Sequence, residues 1–132
     1  MALAGASTWG GAASAQGKTQ WDGIFTDEQA KRGNAVYTKE CASCHGDALE
    51  GMGEAPSLSG GEFAAAWNDL TLNQLFDRIQ KTMPQSAPGS LSREQYTDVI
   101  AHILQKNGAP AGKTELPSNM TGLGEITYKM NK

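Results

Sequence analysis

Apolar residues recur at helical spacing in three stretches of the chain, and each stretch is preceded by the polar pattern of a helix start. In the first, Thr26-Asp27-Glu28-Gln29 has the spacing of a capping box and puts two acidic residues in the first turn, where the helix dipole favours them. The spacing predicts a helix over 27–40 with Ala30, Gly33, Val36 and Tyr37 on its inner face and Lys31, Arg32, Asn34, Lys39 and Glu40 largely in solvent. A second box, Thr71-Leu72-Asn73-Gln74, introduces Leu72, Leu75, Phe76 and Ile79 on one face and must stop before Pro84. The third, Ser92-Arg93-Glu94-Gln95, opens the strongest pattern, with Tyr96, Val99, Ile100, Ile103 and Leu104 aligned. Lys106, Gly108 and Pro110 then supply a charge suited to the helix C-terminus, a left-handed cap and a stop.

Between these stretches the pattern weakens. Residues 46–61 contain five glycines and Pro56 and read as a loop, while 62–69 reads as a short extra helix carrying Phe63 and Trp67. From 111 onward helical periodicity is faint, with Leu116, Leu123 and Ile126 as possible packing points. No run alternates as a strand would, and no repeat or second domain is visible. The expectation is an all-α fold with one domain over 21–112, an N-terminal segment 1–20 and a C-terminal extension 113–132.

At 132 residues, with 39% hydrophobic positions and 16 glycines, the chain looks loop-rich and organised around something other than its own side chains. A large apolar cofactor would complete such a core. A net charge of −3 gives no reason to expect nucleic acid or an anionic membrane as partner, although a mildly acidic face could steer a basic protein. No stretch reaches the roughly 20 apolar residues of a membrane span. Residues 1–16 are rich in Ala, Gly and Ser, and Ala13-Ser14-Ala15 has the small-x-small form of a signal-peptidase site. They read as the end of a signal peptide, with the mature chain starting near Gln16; the alternative is an ordinary flexible N-terminus.

The chemistry is concentrated in Cys41-Ala42-Ser43-Cys44-His45, a C-x-x-C-H sequence of the kind that attaches a c-type haem. Two thiols at this spacing can reach two vinyl groups on one porphyrin edge, and the adjacent imidazole is carried beneath the iron. Cys41 and Cys44 are the only cysteines. A closed zinc site would need four ligands, and beyond these three side chains the chain offers only the distant His102. A thioredoxin-type redox pair would need a βαβ unit, which the pattern lacks.

If His45 is the proximal ligand through Nε2, its Nδ1 hydrogen needs an acceptor, most simply a backbone carbonyl. For the other axial position the chain provides Met52, Met83, Met120, Met130 and His102. Met83 is the best placed, in a Gln/Ser/Pro/Gly loop just after a helix and just before Pro84, where no helical constraint holds the thioether back. Met52, His102 and an open position are the alternatives. Trp67 could donate its indole hydrogen to a haem propionate or be an ordinary core tryptophan.

From about Phe25 to Gly112 the chain resembles the class I monohaem cytochromes c, and within them the soluble bacterial type. Gly33 and Tyr37, eight and four residues before Cys41, match the small and aromatic positions through which the family's first helix crosses its last. Pro56 is similar to the family's loop proline whose carbonyl accepts the proximal histidine's Nδ1 hydrogen, and Thr82-Met83-Pro84 looks like its distal-methionine loop. His102 departs from the pattern, since the family often has an aromatic residue there.

The resemblance implies a cytochrome c fold, three main helices and their loops wrapped around one covalent haem, with Cys41 and Cys44 holding the haem and His45 and Met83 holding the iron. It implies a non-enzymatic periplasmic electron carrier. That carrier would be a monomer, forming transient complexes with a donor dehydrogenase and an acceptor oxidase or reductase. The alternatives are a cytochrome subunit of a larger dehydrogenase or oxidase complex, and a haem-based sensor or enzyme acting on nitric oxide or peroxide.

Overall fold

A computed structural model describes residues 17–132, so the signal-peptide expectation for 1–16 lies outside the described residues. In chain order the elements are β1 (Lys18–Thr19), a single 3-10 turn (Gln20–Asp22), α1 (Asp27–Glu40), α2 (Ala42–His45), α3 (Gly60–Trp67), α4 (Leu72–Thr82), α5 (Arg93–Lys106), α6 (Met120–Gly124) and β2 (Ile126–Thr127). The fold is all-α, and α1, α4 and α5 are the three helices that the hydrophobic pattern predicts. The one strand pair among the described residues, β1 with β2 in parallel register Lys18↔Ile126, is two residues long, too short to leave an alternating pattern in the sequence.

The frame is the crossing of α1 and α5. At Gly33 a Cβ would stand 1.8 Å from the carbonyl oxygen of Asp98, so the two backbones approach as only glycine permits. Ala30 and Tyr37 are buried on the same face of α1, and Val36 is partly buried. On the other side α5 meets α4, with Phe76 and Tyr96 edge to face at 5.9 Å.

Two of the three capping boxes form reciprocally. Ser92 accepts from the Gln95 amide at 3.1 Å while Gln95 accepts from the Ser92 amide at 2.9 Å, and Gln74 likewise accepts from Thr71. At α1 only half the box forms. Thr26 accepts from the Gln29 amide, but the Gln29 side chain turns away to hold the Leu116 backbone, accepting from its amide at 2.7 Å and donating to its carbonyl at 3.4 Å. The tail supplies a buried partner that the helix start cannot.

Residues 113–132 pack into the same core as the helices. Leu116, Leu123, Ile126 and Tyr128 are all buried, the last edge to face with Phe63 at 5.6 Å. Every residue of α5 from Tyr96 to Leu104 is buried, Thr97, Asp98 and His102 included: Asp98 lies against Gly33 and Arg32 of α1 and His102 against Tyr37, so the crossing covers polar positions as well as apolar ones. Arg32, expected on the solvent side, is half-exposed yet tied to both Asp98 and Glu115, so it fastens the tail across the crossing.

The short helix α3 starts and ends two residues earlier than the 62–69 expected. Asp69 takes a left-handed φ of 72°, and its amide donates to the Tyr128 carbonyl at 2.8 Å, so the tail claims the backbone that would have continued the helix.

Candidate haem site

The helix α1 ends at Glu40, and after Cys41 the four-residue α2 carries the rest of the motif. Beyond it, 46–59 runs as a loop with a tight reversal at the Met52–Ala55 bridge. This loop, α3, the C-terminal end of α4 and one face of α5 enclose a cavity of about 620 Å³. That volume lies within the usual range for small-molecule and cofactor sites. The walls are mainly apolar: Leu58 and Phe63 on one part, Leu75 and Ile79 on another, Val99 and Ile103 behind. Glu40, Glu54 and Arg78 are the charged residues of its lining.

Cys41, Cys44, His45 and Met83 all line this one cavity. Cys44 is exposed and Cys41 half-buried; burial, then Glu40 and Cys44, pushes the Cys41 thiol up to about 11. His45 is 5% exposed, and its Nδ1 lies 2.9 Å from the carbonyl oxygen of Pro56. That contact fixes the tautomer with hydrogen on Nδ1 and leaves Nε2 as the ring's lone-pair donor. The Pro56 segment is held in turn: the Gly51 amide donates to the His45 carbonyl at 2.7 Å, and Leu58 and Leu49 are joined at 2.9 Å.

Met83 follows the last turn of α4, its amide donating to the Ile79 carbonyl at 2.8 Å. Its own carbonyl accepts the Tyr96 hydroxyl hydrogen at 2.7 Å. The backbone is therefore pinned on both sides while the thioether lies on the cavity wall. The other methionines sort differently. Met52 also lines the cavity but is 50% exposed, Met120 lines a separate groove beside α4, and Met130 is 38% exposed. His102 is buried away from the cavity lining, against Tyr37. Trp67 stands on the cavity wall, so it is available to a polar group on a cofactor there.

Two supporting side chains were hidden in the sequence. Tyr96 reads as part of the apolar face of α5, and Tyr37 as part of the crossing, yet both use their hydroxyls: Tyr96 on Met83, and Tyr37 on the Gly46 carbonyl at 2.7 Å. A tyrosine where phenylalanine would pack equally well is the only trace such a role leaves.

The residues fit a covalent haem. Both thiols line a mainly apolar cavity, the adjacent imidazole has its outer nitrogen committed to a carbonyl, and a thioether lines the same space. They fit zinc poorly, because no cluster of three or more His, Cys, Asp or Glu side chains able to hold a metal ion occurs among the described residues.

Known proteins point the same way. The family model described as cytochrome c oxidase, cbb3-type, subunit III, matches residues 28–103. The cytochrome c subunit of the cytochrome bc1 complex of Corynebacterium diphtheriae is 29% identical over 120 residues, covering 89% of this chain and 40% of that protein. The chain thus spans less than half the length of this relative. Among solved structures, the sulfane dehydrogenase SoxCD from Paracoccus pantotrophus superposes with a TM-score of 0.58 at 22% identity over 81% of this chain and 61% of that one, a likeness of fold. By its sequence match over 28–103 and the fold around its C-x-x-C-H segment, this chain belongs to the cytochrome c family of the cbb3-type subunit III model, and its cofactor is a covalently bound haem c.

Proposed function

We propose that the protein is an exported electron carrier, with Cys41 and Cys44 bonded to the haem, His45 and Met83 on the iron, and single electrons passed between protein partners. The observation that carries this reading is the convergence of both thiols, the Pro56-tethered imidazole and the pinned Met83 on one apolar cavity. Bound haem would supply the one-electron Fe(III)/Fe(II) couple, and a His/Met ligand pair places it among the higher-potential haem sites. The chain's own residues would orient the imidazole, hold the thioether in place and surround the haem with mainly apolar side chains. Partners would meet it through small, transient interfaces at the exposed edge beside Cys44.

The test is the visible spectrum of the native protein, oxidised and reduced, together with haem retention through denaturing electrophoresis. A low-spin spectrum with haem that survives denaturation supports the reading. Loss of the haem on denaturation overturns the covalent assignment, and rapid carbon monoxide binding by the ferrous protein overturns ligation by Met83. Export is tested by the N-terminal sequence of protein recovered from the producing cell, where a start near Gln16 in an extracytoplasmic fraction is expected.

A second reading, a fixed cytochrome subunit of a larger redox complex, is favoured by one observation: the Corynebacterium relative is by its description a subunit of the bc1 complex. Gel filtration of protein from native membranes and extracts separates the two. A carrier elutes at the mass of the chain alone, and a subunit elutes with its complex.

A further inference from the structure

Nε2 of His102 is the one buried side-chain nitrogen or oxygen without a hydrogen-bond partner among the described residues. His102 is 2% exposed and lies on α5 one turn beyond Asp98, whose carbonyl faces Gly33 at the crossing with α1. Its ring packs against Tyr37, centroids 5.2 Å apart and planes tilted by 48°. Tyr37 donates its hydroxyl hydrogen to the carbonyl of Gly46, the residue next to His45. A continuous set of contacts therefore runs from His102 through Tyr37 to the peptide beside the proximal imidazole.

We propose that His102 and Tyr37 are a positioning pair behind His45, in which neutral His102 seats the Tyr37 ring and so the Gly46 carbonyl, and a proton on His102 is coupled to the redox state of the haem. The inference rests on the reading of His45 as an axial ligand.

Only the neutral ring suits this place. An imidazolium would bury an N–H hydrogen with nothing to accept it, and burial is the main cause, followed by the Lys106 charge, that pushes His102 down to about 4. The charged groups about the crossing offer no relief. On α5, Lys106 repels a proton and Asp98 is already paired with Arg32 of α1, which also takes up Glu115 of the tail. Asp47 and Glu50, beyond Gly46, act on Tyr37, whose hydroxyl burial raises to about 12, so it stays a donor across the working range. Protonating His102 must therefore disturb its seat against Tyr37. The oxidised haem carries one more positive charge than the reduced haem, so charge on His102 favours reduction. The reduction potential is expected to be unaffected by His102 through the ordinary histidine range and to rise as the pH falls through about 4, and reduction in turn makes His102 easier to protonate.

The experiment is a spectroelectrochemical titration of the holoprotein from about pH 7 to about pH 3, in wild type, His102→Phe and His102→Gln. Histidine ring resonances of the reduced wild type are followed alongside. The expected result is a rise in potential on acidification, part of which disappears in both variants, with His102 neutral well below its ordinary midpoint. Tyr37→Phe keeps the ring and the charge of a protonated His102 but cuts the bond to Gly46, and is expected to lose the share of that part carried through the Gly46 carbonyl. Full wild-type pH dependence in every His102 variant that folds overturns the proposal, and so does a wild-type His102 ring titrating at an unshifted midpoint, which needs neither variant to fold. Retention of the whole component in Tyr37→Phe overturns the route through Tyr37. Wild-type protein that keeps no haem through denaturing electrophoresis overturns the haem site, and with it the reading of His45, instead, and this is read before any titration.

Discussion

The imidazole of His45 is tied through Nδ1 to the carbonyl of Pro56 at 2.9 Å, across a loop whose geometry depends on Gly51. Gly51 has a φ of 85°, and a Cβ there would stand 2.8 Å from the Ser57 amide nitrogen and 3.0 Å from the carbonyl carbon of Pro56. Gly51→Ala is thus expected to push the acceptor away from His45, besides a backbone cost of about 1–2 kcal/mol. A weaker hydrogen bond makes the ring a poorer electron donor to iron, so the reduction potential should move upward. Spectroelectrochemistry of the variant checks the sign, and an unchanged or lower potential argues against His45 as the proximal ligand.

Met83 and Met52 both line the cavity, and their surroundings predict different outcomes. Met83→Ala should abolish the weak far-red absorption band that resemblance to the family leads one to expect of a thioether bound to ferric iron, and should open the iron to exogenous ligands. Met52→Ala, at a half-exposed side chain, should leave the band intact. Persistence of the band in Met83→Ala would assign the ligand to another methionine.

Gly33 has no room for a methyl group. Gly33→Ala places a carbon 1.8 Å from the Asp98 carbonyl, and the helices can accommodate it only by separating. A loss of at least about 2 kcal/mol is expected by the scale of overpacking in rigid cores. Denaturant unfolding of the holoprotein measures it, with a midpoint well below wild type as the anticipated result.

The tail is bound to α1 through Gln29, whose side chain meets both the amide and the carbonyl of buried Leu116. Gln29→Ala leaves those backbone groups unpaired and should cost about 1–3 kcal/mol. Hydrogen exchange of the Leu116 amide should rise more than that of amides in the middle of α5. Equal changes throughout would mean that the tail is no separate clamp but one cooperative unit with the helices.

Much of this architecture was legible along the chain. The apolar spacing and capping residues around Thr26, Thr71 and Ser92 determine α1, α4 and α5, because helix starts and amphipathic faces are local properties. The C-x-x-C-H run determines the cofactor chemistry for the same reason, its essential groups lying within five consecutive residues. The resemblance to the cytochrome c family predicted the Pro56 acceptor, and the structure places it within hydrogen-bond distance of His45.

Contacts between distant segments decided the rest. Gln29 abandons its capping box because the Leu116 backbone competes for its amide, α3 stops at Trp67 because Tyr128 claims the backbone of Asp69, and polar His102 and Asp98 are buried because Tyr37, Gly33 and Arg32 of α1 pack against them. No window of sequence contains both partners of any of these pairs. Periodicity shows which face of a helix is apolar, but burial of its polar positions depends on what a distant segment lays across them. Sequence thus determined the haem chemistry and the helices that frame it. Only the tertiary structure decided which side chains stand behind His45, since those contacts join residues whose separation along the chain carries no local signal.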